Sequence, residues 1–422
     1  MKKLLLIFLC LPFIGFGQAF QYYGDLNTNE TVRYFEETSD GGFIILGRIE
    51  NTISNYDDLC LIKVDANLNQ EWIQIYSSNN SYTGYYPNSV RQTSDGGYII
   101  FSTFMDTLDL FSNTLSDPYI IKVDANGNIQ WNQLYDICSP DGCMIRASNK
   151  TSGGYVFVAS DKLYKIDLGG NLVWTKNIGF SGITSIEQTT DGGYVMASCQ
   201  GPTSTNGHFL FKTDLNGNII WTESYPGWAE KMPGCYQTLD NGFISGGCIS
   251  FGNQEPVILV KTNSNGVLLW SQNYSGDFLE NEPISYYPTI DNGFILLGIS
   301  SDNNGIQGQF FVKKVDENGN EEWSQIINDS SFTFIPVSIR SINNGGYIMT
   351  GIKQHSNNNV DIFLTKMDSL GNLTSTFKIP INPNRKLQKT VDLIGRETKG
   401  KKNEPLFYIY DDGTVEKRIV IE

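Results

Sequence analysis

Two histidines, His208 and His355, are all the imidazole in a chain of 422 residues. A histidine-based metal centre needs more ligands than these two supply, and a Ser-His-Asp triad would have to form around a lone loop histidine, so neither is expected to be catalytic. Carboxylates are abundant: 45 Asp plus Glu stand against 30 Lys plus Arg, a formal net charge of −15. Glycoside hydrolysis asks only for two of them at a suitable separation. Asp277, Glu280 and Glu282 cluster within one stretch, although solvated loop acids are the simpler account of such a cluster. Asp124-Ala125-Asn126-Gly127-Asn128 opens like a calcium loop, but its glycine is fourth where that loop needs it sixth, and Trp131 follows. A hairpin turn is expected there, with no metal and no cofactor anywhere in the chain.

Thiol chemistry depends on compartment. Lys2 and Lys3 precede an apolar run from Leu4 to Phe16, and Gly15-Phe16-Gly17 puts small residues at the positions that precede signal cleavage. Residues 1–17 are therefore expected to be a signal peptide removed before Gln18. No other stretch is apolar for long enough to predict a transmembrane segment. Export leaves six cysteines in a compartment that permits disulfides. Cys138 and Cys143 flank Ser139-Pro140-Asp141-Gly142, whose turn residues favour a local bridge. Cys235 and Cys248 are expected to face each other across one hairpin, and Cys60 and Cys199 to be small buried hydrophobes. No Cys-x-x-Cys pair occurs to hold zinc.

The elements that would carry any site come from an internal repeat. Seven times a tight turn is followed by an aromatic residue, as in Asp40-Gly41-Gly42-Phe43, Asp95-Gly96-Gly97-Tyr98 and Asp191-Gly192-Gly193-Tyr194. Each turn is followed by Lys-x-Asp or Lys-x-Asn, a second turn, and in six copies a Trp seven positions after the acid: Trp72, Trp131, Trp174, Trp221, Trp270 and Trp323. The seventh copy has Ser375 instead. In the second copy this reads as strand a ending near Thr93, strand b from Tyr98, strand c from Tyr119 to Asp124 and strand d from Ile129 to Tyr135. Asn-Gly between apolar runs is a strong hairpin signal, because a type I′ turn needs positive φ at both central residues.

Four antiparallel strands recurring about every 50 residues predict an all-β, seven-bladed β-propeller. The repeated Trp is expected to pack between blades, and the repeated Lys to be a strand-face charge. Phe20-Gln21-Tyr22-Tyr23-Gly24 resembles the end of a strand d, so the N-terminal residues are expected to complete the seventh blade. The organisation expected is 1–17 signal peptide, 18–380 propeller and 381–422 a short β-rich tail.

That tail differs in composition, with 9 Lys plus Arg against 7 Asp plus Glu from Asn384 onward, whereas the propeller carries most of the acidity. Asn382-Pro383-Asn384, Val391-Asp392-Leu393-Ile394-Gly395-Arg396 and Glu416-Lys417-Arg418-Ile419-Val420-Ile421-Glu422 resemble, in that order, the type A carboxy-terminal sorting domain of type IX secretion substrates. The resemblance covers about 40 residues and is short of much of the first strand pair. It implies a partnership with the type IX secretion machinery, export across the outer membrane, and a secreted or surface-attached protein. The repeats also look like those of secreted propellers that carry such tails.

Acidity argues against a nucleic-acid partner, since phosphate binding needs clustered cations. Function is expected where the copies differ. The loops from strand d to the next strand a carry Tyr82, Tyr85 and Tyr86, then Trp228, then Phe278, Tyr286 and Tyr287. Aromatics beside Asn and Asp suit a glycan or protein ligand. The expectation is a non-catalytic, adhesion-type binding module. The alternatives are a carboxylate-dependent polysaccharide-degrading enzyme, with paired acids at the central channel, and a structural surface protein without a ligand.

Overall fold

Thr83–Gln92, Tyr98–Asp106, Leu115–Val123 and Ile129–Leu134 pair in sequence order as one antiparallel sheet in the computed structural model of the protein. Five further sheets repeat this a-b-c-d order, and a seventh does so with one strand exchanged. The structure describes residues 20–23, 29–51, 57–77, 83–106, 115–137, 143–180, 182–201, 206–225, 229–249, 257–274, 281–300, 309–328, 333–343, 345–355, 359–374, 386–391, 396, 398, 405–410 and 415–419. Each innermost strand touches the next, and the seventh, Thr333–Ser341, returns to the first, Glu30–Glu37, which closes the ring.

Burial explains the sequence pattern of the strands. Strand b (Phe43–Ile49) and strand c (Asp58–Val64) of the first blade read as near-continuous apolar runs because the neighbouring sheets cover both of their faces. Strand d (Gln70–Tyr76) lies at the outer edge and alternates exposed with covered residues. The a-b turn is built on its acid: Asp40 Oδ1 accepts the Gly42 amide at 2.9 Å and also the Thr38 hydroxyl. The repeated lysines differ from the strand-face charges expected. Lys63, Lys122, Lys212, Lys261 and Lys314 are buried and reach the turn acids Asp40, Asp95, Asp191, Asp240 and Asp291 at 2.5–3.0 Å. Each pair ties strand c to the a-b turn of its own blade. Burial works against ionisation of Asp40, but the bonds from Thr38 and Lys63 outweigh it and hold the carboxyl at about 2.

Between blades, five of the six repeated indoles meet the turn aromatic of the next sheet ring to ring. Trp72 lies edge-on to Tyr98 at 6.0 Å, Trp270 to Phe294 at 6.2 Å and Trp323 to Tyr347 at 5.8 Å. The c-d turn of that next blade presses on the same indole. Gly319, at φ +81°, would put a Cβ 3.1 Å from the Trp270 ring and 2.9 Å from the Tyr274 hydroxyl. Glycine is required there both for the backbone and for the space. The strand-d tyrosines fasten the contact, with Tyr76 donating to the Gly127 carbonyl and Tyr274 to that of Gly319, each at 2.8 Å.

The seam between the seventh and first blades repeats this contact with other residues. Phe20–Tyr23 pairs antiparallel with Ile362–Thr365 and supplies the outer strand of the seventh sheet, as expected from sequence, while Leu373–Thr374 covers only the start of that edge. Tyr23 donates to the Leu68 carbonyl at 2.7 Å, as Tyr76 does to Gly127. Where the other turns have glycine against Trp, this turn has Leu68 at φ 66°, fully buried, and Thr374 rather than Trp stands opposite Lys366. Lys366 takes the place of the indole: its Nζ lies 5.2 Å from the Phe43 ring centre and donates to the Ala66 carbonyl at 2.6 Å.

The propeller unit spans Ala19–Ser375, and the C-terminal unit contains a three-stranded antiparallel sheet of Leu387–Val391, Pro405–Tyr410 and Val415–Ile419. Cys143 is disulfide-bonded, and Cys138, its expected partner, lies outside the described residues. Cys235 is a free thiol, contrary to a bridge with Cys248. Two bulges shift the hairpin register so that Ser245 lies opposite Cys235 and Lys231 opposite Cys248. Cys60 and Cys199 are also free. Among the described residues, no helix is long and apolar enough to cross a membrane.

Leu68 carries the clearest test of the seam. Glycine at this position would relieve a backbone conformation that costs about 1 kcal/mol, but would empty a buried site, at about 3 kcal/mol. Leu68→Gly is expected to lose about 2 kcal/mol net in equilibrium urea unfolding; a stabilised variant would mean that the seam does not rely on this side chain.

Candidate ligand-binding channel

Seven innermost strands surround the axis: Glu30–Glu37, Thr83–Gln92, Ile145–Thr151, Ile183–Gln188, Ala229–Gln237, Asn281–Pro288 and Thr333–Ser341. Each carries a β-bulge at an equivalent height, for example between Val32 and Tyr34 and between Pro336 and Ser338. The bulge interrupts the two-residue alternation and re-aims the side chains that follow it. Hydroxyls just beyond the bulges join adjacent strands: Ser89 meets Ser148 at 2.5 Å, and Ser185 accepts the Cys235 amide at 2.9 Å.

Three residues past the bulge, one position per strand faces the axis, and it differs around the ring. Glu36, Arg91, Asn149 and Glu187 occupy it on the first four blades. Tyr236, Tyr287 and Arg340 occupy it on the last three. All seven line one channel cavity of about 530 Å³, within the range of roughly 300–1,000 Å³ common for small-ligand sites.

The ring is partly paired with itself. Arg91 stacks over the Tyr34 ring at 4.4 Å, lies 3.5 Å from Glu36 and donates from Nε to Asn149 at 3.3 Å. Lys150 approaches Glu36 at 4.0 Å from the other side. Arg340 lies over the opposite side of the aromatic wall, 4.8 Å from the Tyr34 ring centre and 5.0 Å from that of Tyr287. Tyr236 meets Tyr287 edge to face at 5.0 Å. Burial raises the Glu36 carboxyl above its usual range, against the pull of the Gln92 amide, Lys150 and Arg340. Burial likewise pushes Glu187 up to about 7, with Arg91 and Arg340 opposing and Glu36 reinforcing. The Arg91 guanidinium is brought down to about 10 by burial and by Arg340. Five cationic side chains line the cavity, Arg33, Arg91, Arg146, Lys150 and Arg340, against Glu36, Glu37 and Glu187. A chain of net charge −15 thus holds a positively balanced channel.

The residues singled out from sequence are distributed differently from the expected loop cluster. Tyr85 and Tyr86 lie on the innermost strand of the second blade and Tyr286 and Tyr287 on that of the sixth. Tyr85 stacks on Tyr119 at 5.4 Å, and Tyr86 lies beneath Arg33 and Arg48 at 5.6 and 5.4 Å. Tyr286 is a core residue whose hydroxyl donates to the Gly234 carbonyl. Only Tyr287 of these four reaches the channel. Tyr82, Trp228 and Phe278 lie outside the described residues, as do Asp277 and Glu280, while Glu282 falls within the innermost strand of the sixth blade. His208 is on a strand c rather than in a loop. It is buried, with Nε2 2.9 Å from Ser245 Oγ, and burial lowers it to about 4. His355 follows a strand b and meets Asp361 at 2.8 Å. Neither lines the channel. The ring residues had a signal in the repeat, since they stand four positions before the turn acid or its equivalent in six copies and three before Ser152 in the third.

The sheet order and ring closure define a seven-bladed β-propeller with a lined axial channel. Among solved structures, the chain is similar to a protein of unknown function from Dyadobacter fermentans DSM 18053, with 10% identity over 83% of this chain and 99% of that one and a TM-score of 0.47. It is also similar to the Dos1 propeller, at 14% identity over 76% and 78% with a TM-score of 0.43. The Neurospora crassa Pan2 WD40 domain is matched at 11% identity over 82% and 91%, with a TM-score of 0.47. No protein-family model matches the sequence, and no curated protein does. The fold assignment rests on the strand order itself.

Glu187 gives the channel a pH signature. Its carboxyl is raised from 4.5 to about 7 in the fold, so the folded state holds a proton that the unfolded chain releases, and this contribution to stability falls as pH rises through that window. Glu187→Gln removes the buried charge. It is expected to raise the thermal midpoint at pH 8 and leave it nearly unchanged at pH 5; a lower midpoint at pH 8 would mean that the ionised carboxylate is stabilising.

Proposed function

We propose that the protein is an exported, non-catalytic binding module of adhesion type that takes an extracellular glycan or protein ligand at the axial channel. One observation carries this reading: the copies keep the same turns, lysines and indoles, yet the axis-facing position changes from blade to blade. A scaffold that repeats its packing and varies its lining has the organisation of a recognition surface. The apolar run at the N-terminus and the sorting-domain resemblance of the tail support an extracellular or surface-attached location reached through type IX secretion. Cleavage after Gly17 would leave the closing strand Phe20–Tyr23 on the mature chain.

A second reading, hydrolysis of a polysaccharide by Glu36 and Glu187, is favoured by the raised carboxyls of both residues. A carboxyl near 7 suits a general acid at neutral pH. A panel of immobilised plant, algal and bacterial polysaccharides, with product analysis of each polymer retained, separates the two. The binding module predicts retention without shortening of the polymer. Released oligosaccharides that disappear in Glu187→Gln would replace it with the hydrolase, and retention of none would overturn the glycan form of the reading.

A further inference from the structure

Of the five cations that line the channel, Arg340 alone has a buried side-chain nitrogen without a hydrogen-bond partner among the described residues. Arg91 and Lys150 share Glu36, whereas no carboxylate lies within ion-pair distance of Arg340 among the described residues. Its Nε is buried without a hydrogen-bond partner. Its guanidinium is instead held between aromatic faces, Tyr34 and Phe35 on one blade and Tyr287 on the adjoining side. A guanidinium stacked between rings without a direct carboxylate partner, and influenced by Glu36 only at a distance, is oriented for a planar anion, because its forked donors match a carboxylate. Glu187 is the complementary anomaly: its carboxyl makes no hydrogen bond or ion pair among the described residues, and burial favours its protonated form.

We propose that the channel recognises a uronic acid residue of an acidic glycan, its carboxylate bound by Arg340 with Arg91 beside it. This rests on the reading of the channel as the binding site. With five cationic side chains against three carboxyls, the cavity is suited to an anionic group. Tyr287 and Tyr236 offer ring faces and edges for a pyranose, and Asn149 with Glu187 offers donors and acceptors for its hydroxyls. A cavity of about 530 Å³ suits a few sugar rings rather than a folded protein surface.

The test is calorimetric titration of the full chain with pentagalacturonate, its methyl ester, a sulfated glucan oligomer and a pentaglutamate peptide. Pentagalacturonate is expected to bind at least about tenfold more tightly than its neutral ester, the sulfated oligomer or the peptide. Arg340→Met is expected to abolish that preference and Arg340→Lys to restore part of it. Leu215→Ala, on the exposed c-d turn of the fourth blade and away from the channel, should leave it intact, which also shows that a surface change is tolerated. Equal affinity for acid and ester would overturn the uronate proposal while leaving a glycan-binding channel. A preference for the sulfated oligomer or the peptide would assign the anion site to another ligand class. Undiminished binding by a folded Arg340→Met protein would place recognition elsewhere, and no binding by any of the four would overturn the proposal, leaving the polysaccharide panel to decide the broader reading.

Discussion

The indole of one blade resting on the glycine turn of the next is the contact on which the architecture depends. A four-stranded sheet of this kind has two apolar faces and cannot bury them alone, so stability belongs to the interfaces rather than to the blades. The interface fixes what the sequence must repeat: a Trp on strand d, a glycine at positive φ three residues past the turn acid, and an aromatic after the a-b turn. At the seam the contact persists although its usual residues do not. Leu68 occupies volume that glycine leaves to an indole elsewhere, Lys366 covers Phe43, and Tyr23, on the strand that edges the last sheet, bonds to Leu68 of the first.

The innermost strands share in these interfaces through residues such as Phe35, Ile186 and Ile339, but one position on each turns to the axis. That axis-facing residue lies outside the repeated blade-to-blade contact and differs from copy to copy. The buried Lys-Asp pairs serve the same division, since they lock the a-b turn from within each blade and leave the axis to other charges. The result is a channel lined by buried charges, where burial moves Glu187 up against the pull of Arg91 and Arg340, and moves Arg91 down with Arg340 adding to the effect.

Much of the ring was legible in the sequence. The Asn-Gly turns gave the c-d hairpins, the Trp period gave the interfaces, and the resemblance of Phe20–Tyr23 to a strand end gave the closure. The site was legible only in part. Tyr286 and Tyr287 looked alike as neighbouring aromatics, but on a strand adjacent side chains point to opposite sides, so one is core and the other lines the channel. The bulges hid this assignment, because a break in the two-residue period cannot be located from alternation alone and made the start of strand a look like loop. The five buried lysines are hidden for a related reason: a charged residue in an apolar run signals exposure unless its partner, distant in sequence, is known.

In a crystal structure of the protein with pentagalacturonate, sugar density is expected on the axis, with a carboxylate within hydrogen-bonding distance of the Arg340 guanidinium and a pyranose against Tyr287. An oligosaccharide bound on the outer loops or blade edges, with the axis left to solvent, would contradict this placement.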